Sequence, residues 1–311
     1  MNIVFLEKGS LGDDIDLSYF SELGQVTFYD VTRADQVAER SREADVIIVN
    51  KLPMNADTLG SVPNLKMIAL TATGTNNIDW DYTNSRGICV KNVAGYSTNA
   101  VAQHTFALLF YVLHRLAYYD HYVKSGEYCL NPGFSHFAER FTELEGKTWG
   151  IVGMGAIGQR VASIASAFGC REIYYSTSGK NTEKPYQQVT FRELLEESDV
   201  ISLHAPLNAD TEGLMNAEAF HTMKKTAFLV NVARGGLVVE KDLAEALKQD
   251  EIAGAALDVL TEEPMKEYNP LYEIKDSRKL LITPHMAWAP VETRERLMRC
   301  VYKNIQENMC K

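Results

Sequence analysis

The chain has 311 residues, 46% hydrophobic and 23% charged, as in a soluble globular protein of one or two domains with length enough for two cores. A net charge of -10 and a pI near 5.3 disfavour nucleic acid or an anionic membrane as partner. The five cysteines (Cys89, Cys129, Cys170, Cys300, Cys310) are scattered and form no C-x-x-C pair, which argues against a disulfide framework or zinc site and for a reducing compartment, the cytosol.

Residues 1–6 form an apolar run too short for a signal or membrane-spanning segment, and Glu7-Lys8 ends it. The first hundred residues alternate short β-rich runs (3–6, 25–29, 45–50, 65–70, 88–93) with polar stretches at helical spacing, such as 34–42. Alternation of this kind predicts a parallel sheet with helices on its faces. Tyr96-Ser97-Thr98-Asn99 then offers helix N-cap residues, and AVAQHTFALLFYVLHRL after it is apolar nearly all round. With a Gln, two His and an Arg in 17 residues it is a poor membrane span. It reads as a buried helix bridging two domains and sharing in a subunit interface. Residues 118–145 read as an irregular, aromatic-rich link.

The stretch GKTWGIVGMGAIG, residues 146–158, organises the remainder of the chain. A strand over 148–152 runs into Gly153-Met154-Gly155-Ala156-Ile157-Gly158, and an amphipathic helix continues to about residue 168. A bare G-x-G-x-x-G is common, but between a strand and a helix it reads as a dinucleotide fingerprint. Gly153 makes the turn, Gly155 admits a pyrophosphate, Gly158 allows close helix–strand packing, and helix N–H groups face the anion. Further strands are predicted at 172–176, 199–204, 226–232, 252–259 and 279–282, with helices at 191–197, 216–223 and 241–249. Residues 291–311 form an amphipathic helix expected to return to the first domain. The expected architecture is α/β, with two doubly wound parallel-sheet domains and a cleft between them. Residues 1–98 plus 289–311 form a flavodoxin-like substrate-binding domain, and 99–288 form the larger, Rossmann dinucleotide-binding domain.

Ligands of open α/β sheets bind beyond the carboxyl ends of the strands. There FLVNVA leads to Arg234-Gly235-Gly236, IAGAALDVL to Thr261-Glu262-Glu263-Pro264, and KLLIT to Pro284-His285. Together these offer an anion clamp, an orienting carboxylate and an acid–base group. Each also has a structural explanation: a capping Arg, a solvated loop carboxylate with Glu262 as the alternative, and a satisfied histidine such as His114, His121, His136 and His221.

GMGAIG, NVARGGLV, ALDVLTEEP and TPHMAWA, together with NVAGYSTNAVAQHTFALL and LHAPL, resemble the D-isomer-specific 2-hydroxyacid dehydrogenases in order and spacing over nearly the whole chain. Within that family the segments are most similar to the glycerate dehydrogenase / hydroxypyruvate reductase branch. The resemblance implies a catalytic Arg234, Glu263 and His285, and a homodimer. The chemistry agrees. Reducing a 2-keto acid needs a hydride from nicotinamide and a proton for the carbonyl oxygen. A histidine with an ordinary pKa near 6.5 suits that proton, and Glu263 would fix its tautomer. Arg234 would pair with the substrate carboxylate and polarise the keto oxygen. His104 and His204 lie in family motifs and are assigned no chemistry.

The family's carboxylate-binding loop corresponds to Ala72-Thr73-Gly74-Thr75, making Thr73 and Gly74 substrate-binding candidates, although a plain strand-exit turn would look the same. Lys51 is a further candidate at the cleft mouth, and Trp288 a candidate pocket wall. Val232, Ala233, Arg234 and His285 are also expected to touch the cofactor. Asp258 matches the family's aspartate near the nicotinamide carboxamide, and Pro206 its adenine-side contact. NAD-specific sites carry an acid at the end of the second strand, where this chain has Ser176. Without a carboxylate to repel a 2′-phosphate, and with Ser176, Thr177, Ser178 and Lys180 as donors, the cofactor is NAD(H) or NADP(H), with relaxed or NADP-leaning use expected. The expected reaction is reduction of hydroxypyruvate or glyoxylate. The alternatives are a D-lactate or phosphoglycerate-type dehydrogenase, or an NAD(H)-sensing binding protein of the co-repressor type that recruits partners without turnover. No metal site is expected.

Overall fold

The computed structural model describes residues 1–179 and 185–309. The chain divides into two compact units, Met1–Ser97 with Trp288–Lys311, and Thr98–Ala287.

The first unit holds a parallel sheet of β1 (Asn2–Phe5), β2 (Gln25–Phe28), β3 (Val46–Val49), β4 (Met67–Leu70) and β5 (Cys89–Lys91), in the order β2-β1-β3-β4-β5. Helices α1 (Val37–Arg40), α2 (Ala56–Leu59) and α3 (Trp80–Ser85) are short. Val4 pairs with Thr27 on one side and Ile47 on the other, and Ile48 with Ala69. Side chains alternate between faces, so Ile3, Phe5, Val46, Ile48, Met67 and Ala69 share one core, and Val4, Leu6, Ile47, Val49, Ile68 and Leu70 another. Because both faces are covered, β3 and β4 are apolar at every position. The chain leaves β1 for opposite sides to form β2 and β3, so a crevice opens at the carboxyl ends of β1 and β3.

The second unit begins with α4 (Thr98–Leu113) and α5 (Leu116–Lys124). Its sheet contains β6 (Thr148–Val152), β7 (Arg171–Tyr175), β8 (Gln187–Gln188), β9 (Val200–Leu203), β10 (Phe228–Asn231), β11 (Gly254–Leu257) and β12 (Leu280–Ile282). All pairs are parallel, and the order is β12-β11-β10-β9-β6-β7-β8. Helices α6 (Ala156–Ala167), α7 (Phe191–Glu197), α8 (Ala217–Thr222) and α9 (Glu240–Lys248) make the crossovers. The order reverses between β6 and β9, which puts the glycine turn at a switch point. The last helix, α10 (Val291–Met309), packs in the first unit, with Leu297, Met298, Val301 and Ile305 in the core it shares with β1, β3 and β4.

Three local features depart from the sequence expectations. The apolar helix stops at Leu113 rather than 116, because Arg115 takes a left-handed φ of 56° that breaks the helical ladder. A second helix, α5, then occupies part of the predicted irregular link; it buries no residue, so it carries no strong apolar periodicity. The seventh strand, β8, is two exposed glutamines on the sheet edge and has no β-rich signature. Among the described residues, no helix is long and apolar enough to cross a membrane, and no group of three or more His, Cys, Asp or Glu could hold a metal ion.

Candidate active site

At the end of β6, Gly153 has a φ of 93°, and a Cβ there would lie 2.7 Å from the Ala205 nitrogen, so the turn requires glycine. Its N–H donates to the Tyr175 carbonyl at 3.0 Å, tying the turn to β7. A Cβ on Gly158 would sit 2.3 Å from the Gly153 carbonyl oxygen, whereas one on Gly155 would meet nothing within 4 Å. Open space therefore adjoins the start of α6, where the N–H groups of Ala156, Ile157 and Gly158 and the helix dipole favour an anion. Ser176 Oγ, at the end of β7, is buried without a protein partner among the described residues. A nucleotide ribose placed there would supply the partner that a buried hydroxyl needs. The cradle fits a nicotinamide dinucleotide, with Gly153, Gly155, Ala156, Ile157, Gly158 and Ser176 as the residues that would hold it. Thr177 is half-buried and Ser178 exposed in the turn after Ser176, while Lys180 lies outside the described residues. Pro206 is exposed after β9, its carbonyl accepting the Thr211 hydroxyl at 2.7 Å.

Three strand ends of the second unit carry the Arg, Glu and His. After β10, the side chain of fully buried Asn231 spans the turn: its Oδ1 accepts the Ala233 N–H at 3.0 Å and its Nδ2 donates to the Arg234 carbonyl at 2.9 Å. Val232 is buried in this turn, and Arg234 leaves it with an exposed side chain whose Nη1 donates to the Ala233 carbonyl at 2.7 Å. After β11, Glu263 accepts the Leu260 N–H on Oε1 at 3.1 Å and meets His285 Nδ1 with Oε2 at 2.8 Å. Glu262 takes a different partner, the Tyr268 hydroxyl, and lies 3.8 Å from Lys266. Of the two adjacent acids, Glu263 is therefore the one that orients the imidazole. A carboxylate on Nδ1 makes Nδ1 the donor to it and leaves Nε2 as the nitrogen for proton exchange.

His285 has a φ of 54°, an uncommon conformation for a residue with a side chain, and its surroundings hold it there. The main holder is Asp258, 1% exposed at the end of β11. Its carbonyl accepts the His285 N–H at 2.8 Å. Its carboxylate accepts the Thr283 hydroxyl at 2.6 Å, the Met286 N–H at 2.9 Å and the Ala287 N–H at 2.8 Å. Thr283 gives its proton to Asp258, so it accepts from His104 Nε2 at 3.1 Å, which assigns the His104 proton to Nε2. Burial pushes the Asp258 carboxyl upward, but hydrogen bonds from His104, Thr283, Ala287 and Met286 outweigh it and hold the group below its usual range. Asp258, expected near the nicotinamide, thus also clamps the His285 loop, and His104 and Thr283 belong to the same clamp. Sequence spacing alone could not reveal this, although His104 and Thr283 lie within family motifs.

In the first unit, the crevice at β1 and β3 is closed by Glu7. Its Oε2 accepts three successive N–H groups, from Asn50 at 2.7 Å, Lys51 at 2.9 Å and Leu52 at 3.3 Å. That nest is occupied by the protein's own carboxylate, so Lys51 can offer a ligand only its exposed side chain. Glu7 thereby fixes the Asn50–Leu52 turn, and no sequence motif marked it. The Ala72–Thr75 loop is pinned from β5: Thr73 Oγ1 donates to the Val93 carbonyl at 2.9 Å, and Asn92 Nδ2 to the Thr73 carbonyl at 2.6 Å. Gly74 is half-buried between them. Trp288 packs half-buried against the core of this unit.

Residues 106–287 match the NAD binding domain of the D-isomer specific 2-hydroxyacid dehydrogenases. A hydroxypyruvate reductase of Blautia hydrogenotrophica is 37% identical over 99% of this chain and 96% of its own. Two solved structures are similar at full length. An acyclic imino acid reductase in complex with NADPH and D-Arg has a TM-score of 0.85 at 31% identity, covering 100% of this chain and 97% of that one. D-lactate dehydrogenase from Aquifex aeolicus, complexed with NAD and lactic acid, has a TM-score of 0.82 at 30% identity, covering 98% and 94%. Two parallel α/β sheets, a glycine turn that fits a dinucleotide and a carboxylate-oriented histidine agree with that kinship. The chain is an oxidoreductase acting on the CH–OH group of donors with a nicotinamide cofactor, and it belongs to the D-isomer-specific 2-hydroxyacid dehydrogenase family.

Proposed function

We propose that this enzyme reduces a small polar 2-keto acid to the D-2-hydroxy acid, with hydroxypyruvate or glyoxylate as substrate. The observation that carries the reading is the 2.8 Å contact of Glu263 with His285 Nδ1. A dinucleotide bound at the glycine turn supplies the hydride. His285 donates a proton from Nε2 to the carbonyl oxygen, and Glu263 stabilises the imidazolium before that transfer. Arg234 pairs with the substrate carboxylate and, with His285, stabilises the developing alkoxide. Within the first unit, the N–H groups of the Ala72–Thr75 loop and the Lys51 ammonium are the groups suited to an anionic substrate. The absence of an acid at Ser176 supports relaxed or NADP-leaning coenzyme use, with Thr177 and Ser178 as donors.

A homodimer is part of this reading. Leu130, Phe134 and Phe137 are exposed by 86%, 92% and 85% within one short stretch, a cluster of large apolar side chains of the kind that marks an interaction surface. The free Cys89, Cys129, Cys170 and Cys300 suit a reducing cytosol. The test is oxidation of NADPH and NADH with a panel of 2-keto acids, followed by loss of reduced-nicotinamide absorbance. Turnover of hydroxypyruvate or glyoxylate is the expected result. Nucleotide binding without turnover of any 2-keto acid would overturn the reading in favour of a sensor, and a preference for NADH above about a hundredfold would overturn the coenzyme assignment.

A further inference from the structure

At the amino-terminal ends of β6, β9, β10 and β11, the second unit contains a cavity of about 260 Å³. The glycine turn lies at the opposite ends of these strands. A five-residue strand such as β6 rises about 3.3 Å per residue, so ~15 Å of sheet separates the two places, and one small ligand cannot occupy both. Leu113, Phe141, Leu144 and Phe228 give the cavity apolar walls. Arg115, Arg140, Lys147 and Lys225 also line it, against a single carboxylate, Asp199. That carboxylate is already engaged, by the Thr148 N–H at 2.9 Å and by Lys224 Nζ at 3.1 Å.

Arg115 is the most unusual of the four cations. Its left-handed backbone ends α4 and sets its guanidinium 5.6 Å from the centre of the Phe228 ring. Nη1 donates to the Arg278 carbonyl, while Nε is buried and has no hydrogen-bond partner among the described residues. The neighbouring acids do not serve it: Glu139 and Asp276 bind Arg278, at 2.6 Å and 2.9 Å. Arg140, Lys147 and Lys225 pair with no carboxylate among the described residues.

We propose that this cavity is a second ligand site, for a small carboxylate with an apolar body of one ring or a short branched chain. The carboxylate meets Arg115 and the lysine and arginine side chains around it, and the body fills the space between Leu113, Leu144 and Phe228. A bare inorganic anion would leave those walls wet, and a neutral hydrophobe would leave the cations unmatched. The volume lies just below the ~300–1,000 Å³ usual for drug-sized ligands, which limits the occupant to a small molecule. The class is distinct from the polar keto acid proposed for the reaction site.

Calorimetric titration of the full chain with benzoate, benzamide and inorganic phosphate tests this, with the coenzyme present at saturation. Benzoate should bind once per chain, and benzamide and phosphate at least about tenfold more weakly. Benzoate affinity should fall at least about tenfold in the double variant Arg140→Ala, Lys225→Ala, whose changes are both on the surface, while its coenzyme affinity stays at the wild-type value. Arg115→Met should weaken benzoate as well. Binding of benzamide or phosphate as tight as that of benzoate, or unchanged benzoate binding in the double variant, would overturn the proposal. So would loss of benzoate binding in Arg234→Gln, which would assign the anion to the reaction site.

Discussion

His285 is useful only if one ring nitrogen is committed and the other can exchange a proton. Glu263 commits Nδ1 at 2.8 Å and is itself held by the Leu260 N–H at 3.1 Å, so the pair cannot drift independently. His285→Gln should lower kcat by about 10²–10⁴ while coenzyme affinity falls far less, measured by steady-state kinetics and coenzyme titration. A fall in coenzyme affinity matching the fall in kcat would mean that the ring packs rather than reacts. Glu7 acts at one remove. Its carboxylate holds the three N–H groups of the Asn50–Leu52 turn and so fixes where Lys51 begins. Glu7→Ala should raise the KM for the keto acid about three- to tenfold with a smaller change in kcat, and Glu7→Gln, which keeps an acceptor oxygen, should restore most of it. Equal damage in both variants would assign Glu7 to general folding.

Among the elements, the turn between β6 and α6 separates binding from packing within six residues. Gly158 is where helix meets strand, since a Cβ there would lie 2.3 Å from the Gly153 carbonyl oxygen and push α6 outward. Gly155 adjoins open space and has an ordinary φ of -77°. Gly155→Ala should therefore leave Tm unchanged or slightly raised, as expected when unfolded-chain entropy falls by about 0.4–1 kcal/mol, yet weaken coenzyme binding by more than about tenfold. Gly158→Ala should lower Tm even without coenzyme, because its clash is with the protein itself. Thermal melts with and without NADPH separate the two, and equal Tm losses would remove the distinction. Along α4, the same logic explains an almost wholly apolar helix: Val101, Ala102, Phe106, Leu108, Leu109, Val112 and Leu113 are buried, and His104 is kept for the clamp on Thr283.

Across the whole molecule, two buried groups tie stability to pH in the same sense for different reasons. Asp258 is held below its usual value of 3.8 by its hydrogen bonds, so its contribution is complete above that value and is lost as pH falls through the lower folded one. His204 is unusual for a histidine, because burial depresses it from 6.5 to about 3. The folded chain then refuses a proton that the unfolded chain accepts. Stability is complete above 6.5 and declines as pH falls from there toward about 3. Between about pH 7.5 and pH 5.5 this single group should remove on the order of 1 kcal/mol. Urea unfolding of wild type and His204→Gln at both pH values checks it: the variant should lose less stability on acidification by about that amount, and equal losses would show that His204 titrates normally.

The alternation of short apolar runs with helical spacing determined two parallel α/β sheets, because period and turn chemistry are local properties of the chain. The glycine turn was equally legible, since its strand, its three glycines and its helix are contiguous. The family motifs marked Arg234, His285 and their neighbourhood, but not the hydrogen bonds that hold them. Only the tertiary structure decided that Glu263 rather than Glu262 meets the imidazole, that Asp258 clamps the His285 loop with Thr283 and His104, and that Glu7 closes the crevice at β1 and β3. It also decided the break at Arg115, a residue with a backbone angle that arginine seldom adopts and a side chain that donates to the Arg278 carbonyl, far along the chain. Each of these depends on strand register and on the direction of individual N–H and O–H bonds. Those are set when remote segments pack together, and no local pattern of residues encodes them.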